Sequence, residues 1–247
     1  MRRRSRFPLG FTLIELLVVI SVIALLIGLL LPTLGAARRH ARTLACLTTT
    51  RSIGQAQRMY LDDHEGRFAP TDHVGGTGEP QWDVLFADYL GVREVLRAWR
   101  ASPLGDLDDP NLPYGEAARA YYRDLLTCPE RDNVRSTLDY SYGQNVWFAL
   151  NPIDFAALGQ PPEGPFDREA SLRRPSATVT HGEVGGQSNH VMAHFWTYGF
   201  AEPGDTLATR HLNQFNAVFA DGHAATAAIE DTFDTARNID LWNPGSD

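Results

Sequence analysis

The chain opens with a long apolar run that continues as a helical pattern. Residues 11–31 carry one charged side chain, Glu15, and one hydroxyl in the interior of the run, Ser21. A helix of this length covers roughly 30 Å, the thickness of the hydrocarbon core of a bilayer. Small and apolar residues then recur at helical spacing until Gly66, which is a stop signal. The pattern predicts one helix over residues 11 to about 62, with its first half in a membrane and its second half against a globular head.

The pattern after this helix changes from helical to extended. Amphipathic runs predict three short helices, at 82–90, 92–100 and 115–126. Turn-bounded apolar and aromatic runs predict five strands, at 139–149, 177–183, 190–199, 213–220 and 223–229. A block of helices followed by a block of strands is typical of the α+β class. The predicted fold is therefore α+β, with a long N-terminal helix packed on a head that contains an antiparallel β-sheet.

Composition and charge narrow the function classes. Hydrophobic residues make up 43% of the 247 residues and charged residues 21%, which is enough apolar material for a packed core. The net charge is −8, and all 22 basic residues are arginines, four of them among the first ten positions. The remainder of the chain has 18 arginines against 30 acidic residues, a charge of −12. This acidic body argues against nucleic-acid binding, which requires a basic face.

The apolar run allows two interpretations. A secretory signal peptide would have a basic start, an apolar stretch and a small-residue cleavage site, which residues 35–37 would supply. The run is longer than the usual ~7–15 residues of such a stretch, and it contains Glu15, whose burial in a membrane costs about 2–3 kcal/mol. The carboxylate therefore needs a cationic partner. Cleavage between Gly10 and Phe11 would create an amine one helical turn away.

The segment around this carboxylate resembles a known signal. Residues 9–20, with the sequence LGFTLIELLVVI, resemble the N-terminal signal of type IV prepilins and type II secretion pseudopilins. The resemblance implies that a prepilin peptidase cuts after Gly10 and methylates the amine of Phe11. It implies that Glu15 pairs with the N-terminal amine of a neighbouring subunit during assembly, and that Pro32 bends or loosens the helix. The expected regions are a leader peptide at 1–10, a transmembrane helix at 11–31, its extramembrane continuation at 32–66 and an α+β head at 67–247.

A second motif lies near the C-terminus. Asp221 and Gly222 separate two apolar runs, and this pair favours a type I′ hairpin turn, in which both central residues have positive φ. Nine residues separate His211 from this pair, and the segment 211–223 resembles the H-x9-DG element of a prepilin-type family that is abundant in some bacteria. We expect the pair to form the turn and His211 to make a local hydrogen bond, with a metal site that includes His223 as the alternative.

Other candidate metal or catalytic sites are weak. His190 and His194 would form a chelating pair on a helix, but the alternation over residues 190–198 favours a strand. On a strand the two histidines lie about 13 Å apart, and neither they nor His181 belong to a dense Cys/His cluster. The sequence also lacks a nucleophile elbow and a glycine-rich phosphate loop. We therefore expect no metal, no cofactor and no enzymatic activity.

The chain has two cysteines, Cys46 and Cys128. If the head lies outside the cytoplasm, an oxidising space favours one disulfide between them, and two buried free thiols are the alternative. Chains of the family that the signal resembles often pair a cysteine on the long helix with one in a Cys-Pro sequence, such as Cys128 followed by Pro129. The resemblance therefore implies the bridge.

Two functions remain open from the sequence. The first is a structural subunit of a type IV pilus or a type II secretion pseudopilus, whose partners are prepilin peptidase, the inner membrane and other pilin or pseudopilin subunits. The basic leader predicts a cytoplasmic N-terminus and a single-pass protein with its head in the periplasm or at the cell exterior. The alternative is a membrane-tethered binding module that carries a prepilin-type signal without forming a filament.

Overall fold

The computed structural model describes residues 12–71, 80–101, 115–131, 140–148, 166–185, 189–191, 193, 196 and 202–246. The chain divides into two compact units, Met1–Arg42 and Thr43–Asp247. The first unit contains the beginning of helix α1, which extends over Leu13–Asp63. The second unit contains the rest of α1 together with the short helices and the sheet. The predicted α+β class with a long N-terminal helix is confirmed.

Helix α1 ends where the backbone leaves the helical region. Glu65 and Gly66 have φ values of 55° and 74°, and the Gly66 N–H donates to the Leu61 carbonyl at 2.8 Å. This is the long hydrogen bond of a Schellman motif, with Glu65 in the left-handed position. The glycine stop signal is therefore correct to within one residue, and the helix ends at Asp63, next to the predicted end.

Within the second unit, α1 buries one face. Its buried residues recur three or four positions apart, as expected for a helix that packs through a single stripe. They are Cys46, Thr50, Ile53, Gly54, Ala56, Gln57, Tyr60 and Leu61. This stripe packs against helix α2 and the sheet.

Three short helices follow in sequence. They are α2 (Trp82–Tyr89), α3 (Arg93–Ala101) and α4 (Gly115–Ala120), and α4 continues as a π-helical turn over Tyr121–Leu125. The three predicted helices are therefore confirmed. Their apolar side chains share one core cluster with Ile53 and Tyr60 of α1.

The head contains a five-stranded sheet in the order β3-β1-β2-β4-β5. Its strands are β1 (Tyr142–Asn145), β2 (Val179–Glu183), β3 (His190–Val191), β4 (Phe215–Phe219) and β5 (Ala224–Ala227). All pairs are antiparallel except β1 with β3, which is parallel, so the sheet is mixed. A short helix α5 (Ile229–Thr232) and a two-stranded ribbon, β6 (Phe233–Asp234) with β7 (Ile239–Asp240), follow.

The strand predicted over 190–199 is confirmed at its first two residues and is wrong at the two later residues that the structure describes. His190 and Val191 are extended, whereas Ala193 and Trp196 are helical. The other positions of that segment, including His194, lie outside the described residues. Ala193 and Trp196 are both buried in the core, so packing determines their conformation and the alternating sequence pattern does not.

The sheet separates two apolar clusters. On β4, Phe215, Ala217 and Phe219 belong to a cluster that includes Trp242, whereas Val218 belongs to the cluster that includes α1. This is the two-residue period of a strand that is covered on both faces. Strand β4, which leads into the hairpin turn, is therefore buried on both faces.

Candidate functional site

The beginning of α1 is stabilised by a capping box. The Glu15 N–H donates to Thr12 Oγ1 at 3.2 Å, and Glu15 Oε2 accepts bonds from the Thr12 N–H at 2.8 Å and from the Thr12 hydroxyl at 2.7 Å. This reciprocal pattern satisfies donors that the first turn of a helix leaves unpaired. Thr followed three residues later by Glu is the sequence signature of this cap, which was not among the predicted roles of Glu15.

The first unit exposes its large apolar side chains. They range from 46% exposed at Val19 to 79% at Leu13, and none of the most hydrophobic 18-residue window is buried. The Ser21 and Thr33 hydroxyls donate to the carbonyls of Val18 and Leu30, both at 2.8 Å. The helix therefore satisfies these two hydroxyls internally and presents an apolar surface, which suits a bilayer. By length and composition it can cross a membrane.

Three other residues of the N-terminal region, Gly10, Phe11 and Pro32, were predicted to have functional roles. Gly10 and Phe11 lie outside the described residues. Pro32 lies inside α1, and the helix continues on both sides of it. Because proline has no N–H, the carbonyl four residues earlier, that of Gly28, loses its helical partner.

In the second unit, Cys46 and Cys128 form a disulfide with their Cα atoms 5.4 Å apart. Both are buried, and Cys128 lies just after the π-helical turn, so the bridge connects α1 to the segment that leads into β1. The N–H of Cys128 donates to the Ser141 hydroxyl at 3.0 Å.

His211 lies beside this disulfide and makes contacts far away in sequence. Its Nε2 is 2.9 Å from Glu183 Oε1 and 3.7 Å from Cys128 Sγ. Its Nδ1 is 2.9 Å from Glu130 Oε2, at an angle that departs from that of a hydrogen bond. The backbone of His211 makes the expected local hydrogen bonds, with Gln214, whereas its imidazole contacts residues far away in sequence. Burial lowers the pKa of His211, but the hydrogen bond with Glu183 and the negative charges of Glu183 and Glu130 outweigh it and raise the pKa overall.

Glu183 ends strand β2 and is fully buried. Its Oε2 accepts the backbone N–H of Asn216 at 3.0 Å, and its Oε1 also accepts the Asn216 amide at 3.3 Å. Burial lowers the pKa of Arg210, while the charge of Glu183 acts in the opposite direction. These contacts compensate the buried carboxylate, which would otherwise be costly. Nothing in the sequence around Glu183 indicated this role.

The Asp221-Gly222 pair forms the predicted hairpin turn in a different geometry. Gly222 has a φ of 88°, but Asp221 does not have a positive φ, which excludes the type I′ turn. The Gly222 N–H donates to the Phe219 carbonyl, and the Phe219 N–H donates to the His223 carbonyl, both at 2.9 Å. This is a three-residue loop with a type I turn and a left-handed glycine. Asp221 Oδ1 accepts the N–H of His223 at 3.1 Å, which stabilises this turn.

The expected alternative metal site of His211, Asp221 and His223 is not assembled. Asp221 and His223 contact each other, with His223 Nδ1 2.6 Å from Asp221 Oδ1, and both are partly exposed. The contacts of His211 are with Glu183, Glu130 and Cys128. In the described part of the chain, the one group of potential metal ligands that meets within 4.8 Å is Cys46, Cys128, Glu183 and His211.

A second buried carboxylate, Asp83 in α2, was also missed. The Tyr122 hydroxyl donates to Asp83 Oδ2 at 3.0 Å, the Asn189 amide donates to Oδ1 at 3.1 Å, and the Tyr121 hydroxyl donates to the Asp83 carbonyl at 2.7 Å. Burial raises the pKa of Asp83 despite these donors. The donors come from two segments far from α2 in sequence, so no local spacing reveals this group, and its contacts connect α2 to the rest of the head.

Comparison with known proteins gives one informative similarity. Over 55 residues the chain is 44% identical to the type IV wide pilus major component PilA4 of Thermus thermophilus. These residues are 22% of this chain and 42% of that protein, so the match spans less than half of either. No family model matches the chain, and no solved structure matches it. The similarity and the long apolar helix fit a pilin-like protein and are consistent with a single-pass membrane anchor.

Proposed function

We propose that this protein is a pilin-like structural subunit that assembles through its N-terminal helix. In this proposal prepilin peptidase cuts between Gly10 and Phe11 and methylates the new amine, and the mature chain joins other pilin or pseudopilin subunits in a type IV pilus or a type II secretion pseudopilus. The protein lies in the inner membrane with a cytoplasmic N-terminus and a head in the periplasm or at the cell exterior. The observation that carries the proposal is an exposed apolar helix with a single carboxylate in its first turn.

The position of Glu15 supports a role in assembly. Cleavage after Gly10 would leave the carboxylate at the fifth position of the mature chain, one helical turn from the new amine. Among the described residues, both bonds to the carboxylate use Oε2 and come from Thr12. A carboxylate has about four acceptor positions, so Oε1 remains able to accept from the amine of a neighbouring subunit. In lipid an ion pair across subunits would offset the cost of burying both charges.

Mass spectrometry of the membrane-extracted protein tests the processing step. The expected mature chain begins with N-methylated Phe11, and a bulky replacement of Gly10 leaves the precursor uncut. An intact leader in the wild-type protein, or a start near residues 35–37, would contradict the proposal. The second result would instead support a secretory signal peptide.

Crosslinking between neighbouring N-terminal helices tests the assembly step. We expect Glu15→Gln to be processed normally, because glutamine can still complete the capping box, yet to lose most of the crosslinks, because it cannot form the ion pair. The matched control is Thr12→Ala, which removes the capping hydroxyl but keeps the carboxylate, and which therefore retains the crosslinks. If the processed Glu15→Gln protein crosslinks like the wild type, the carboxylate does not guide assembly.

Recovery of the chain in sheared surface fibres distinguishes a subunit from a membrane-tethered binding module. A subunit is recovered in the polymer, whereas a tethered module stays with the membrane fraction. The similarity to a type IV pilin suggests a structural role rather than a catalytic one.

A further inference from the structure

The four side chains around the disulfide have the composition of a zinc site. Cys46, Cys128, Glu183 and His211 are all buried, and each offers one donor atom within 4.8 Å of the other three. Two thiolates, an imidazole and a carboxylate are all ligands that Zn²⁺ accepts in a tetrahedral arrangement. We propose that when the two cysteines are reduced, these four side chains bind one Zn²⁺ ion inside the head.

The distances from the His211 nitrogen to two of the other donors approach those of a tetrahedral site. Zinc lies about 2.3 Å from sulfur and about 2.0–2.2 Å from nitrogen or oxygen, so neighbouring ligand atoms are about 3.3–3.8 Å apart. His211 Nε2 is 3.7 Å from Cys128 Sγ and 2.9 Å from Glu183 Oε1. Once the sulfur atoms are no longer bonded, they must separate to fit this spacing, while the nitrogen and oxygen need only small shifts.

The groups behind the ligands are those that orient a metal site. Glu130 Oε2 lies 2.9 Å from Nδ1, the ring nitrogen of His211 that faces away from the cysteines. With a small reorientation this carboxylate would accept the Nδ1 proton and so fix the tautomer in which Nε2 is free to bind the metal. The Asn216 N–H holds Glu183 Oε2 at 3.0 Å, which leaves Oε1 directed at the ligand cluster.

The zinc-bound site would carry a net negative charge. With the disulfide formed, the imidazole of His211 lies 2.9 Å from carboxylate oxygens of both Glu183 and Glu130. With zinc bound, two thiolates and Glu183 around a divalent ion give −1, to which Glu130 adds a negative charge and the neighbouring Arg210 a positive one. Zinc binding to the dithiol releases both thiol protons and, where His211 is protonated, its Nε2 proton.

The two states are mutually exclusive, so the redox state of the cysteines selects between them. The disulfide and the zinc site would both connect α1 to the head at the same place, since Cys46 lies on the helix and the other three ligands lie in the head. The reduced chain, which exists before the disulfide forms, would therefore gain from zinc the crosslink that it does not yet have from the bridge.

Cobalt substitution tests this proposal on the full-length chain in detergent. A phosphine converts the disulfide into two thiols and takes up the oxygen of water as phosphine oxide; the protein is then separated from it without oxygen. We expect Co²⁺ to bind at one equivalent with thiolate-to-cobalt charge-transfer bands and the intense visible bands of tetrahedral cobalt, and Zn²⁺ to abolish them. The oxidised protein should show neither.

Variants identify the ligands. His211→Gln and Glu183→Gln should weaken zinc binding at least tenfold in competition with a chromophoric chelator, and Cys46→Ser should remove most of the charge-transfer intensity. The matched control is His223→Gln, whose side chain is partly exposed outside the cluster, and its affinity should equal that of the wild type. Wild-type affinity in the His211 and Glu183 variants would overturn the proposal.

Circular dichroism separates a failed site from a failed fold. If the reduced wild-type chain loses structure and Zn²⁺ restores it, metal binding is coupled to folding, which supports the site. If the reduced chain stays folded and gives no thiolate–cobalt bands, or unfolds and is not restored by Zn²⁺, there is no zinc site and the proposal is wrong.

Discussion

The contact between α1 and the hairpin turn offers the sharpest test of how the head is held together. A Cβ atom added at Gly54 would lie 2.3 Å from the carbonyl oxygen of Gly222 and 3.2 Å from Val218 Cγ1. The turn is held against the helix by the Gln57 amide, which donates to the carbonyls of Phe219 at 3.0 Å and Ala220 at 3.2 Å. The Gly54→Ala change must therefore displace backbone atoms, and it cannot be absorbed by rotation of a side chain.

The size of the effect follows from opposing contributions. Overpacking of a closed contact costs about 1–3 kcal/mol, and loss of each hydrogen bond from Gln57 adds about 0.5–1.5 kcal/mol if the turn moves away. Alanine has a higher helix propensity than glycine, which returns about 1 kcal/mol. Because the displaced turn loses both hydrogen bonds, we expect Gly54→Ala to lower the free energy of unfolding of the head by about 1–5 kcal/mol.

Denaturant unfolding of the full-length protein in detergent measures this change. All five tryptophans lie within Thr43–Asp247, so tryptophan fluorescence reports on the second unit alone. The control is Gly35→Ala on the same helix, where a Cβ would meet only Arg39 Nη1, at 3.8 Å, and where head stability should not change. If Gly54→Ala is as stable as the wild type or more stable, helix propensity dominates and the close contact is not a constraint on the fold.

Three further predictions concern the interior of the head. Peptide mapping without reduction should recover Cys46 linked to Cys128. Closing a loop across a separation of 82 residues stabilises the folded state by at most about 4–5 kcal/mol. Replacement of both cysteines by serine should remove this stabilisation, which thermal unfolding would measure. Because the pKa of His211 is raised, the contribution of its protonation to stability is complete below about pH 6.5 and is lost as the pH rises through the folded-state pKa. The thermal midpoint of the wild type should therefore fall over that range more steeply than that of His211→Gln. Burial lowers the pKa of His181 to about 3, so on acidification the unfolded chain protonates at this histidine before the folded chain does, and stability falls as the pH drops below about 6.5. In His181→Leu the thermal midpoint should fall less steeply with decreasing pH.

The sequence by itself determined the features that depend on residues close to one another along the chain. The long helix could be predicted because an uninterrupted apolar run of membrane length and a periodic continuation each specify a helix locally. The α+β class and the position of the hairpin turn after β4 followed from the change of period and from the Asp221-Gly222 pair. Candidate residues within a few positions of one another, such as Glu15 and the proposed cleavage site, could likewise be chosen from the sequence.

The tertiary structure alone decided which distant residues meet. Gly222 of the hairpin turn lies against Gly54 of α1, and Trp196 is helical and buried in the core; no local pattern contains either feature. The cluster at His211 joins four separate segments, because the pairing of β2 with β4 and the packing of α1 bring Glu183 and Cys46 to the same place. Side-chain contacts between such segments are set by sheet register and helix packing. Neither the register nor the packing can be deduced from the spacing of residues along the chain, so the buried site could be identified only in the folded protein.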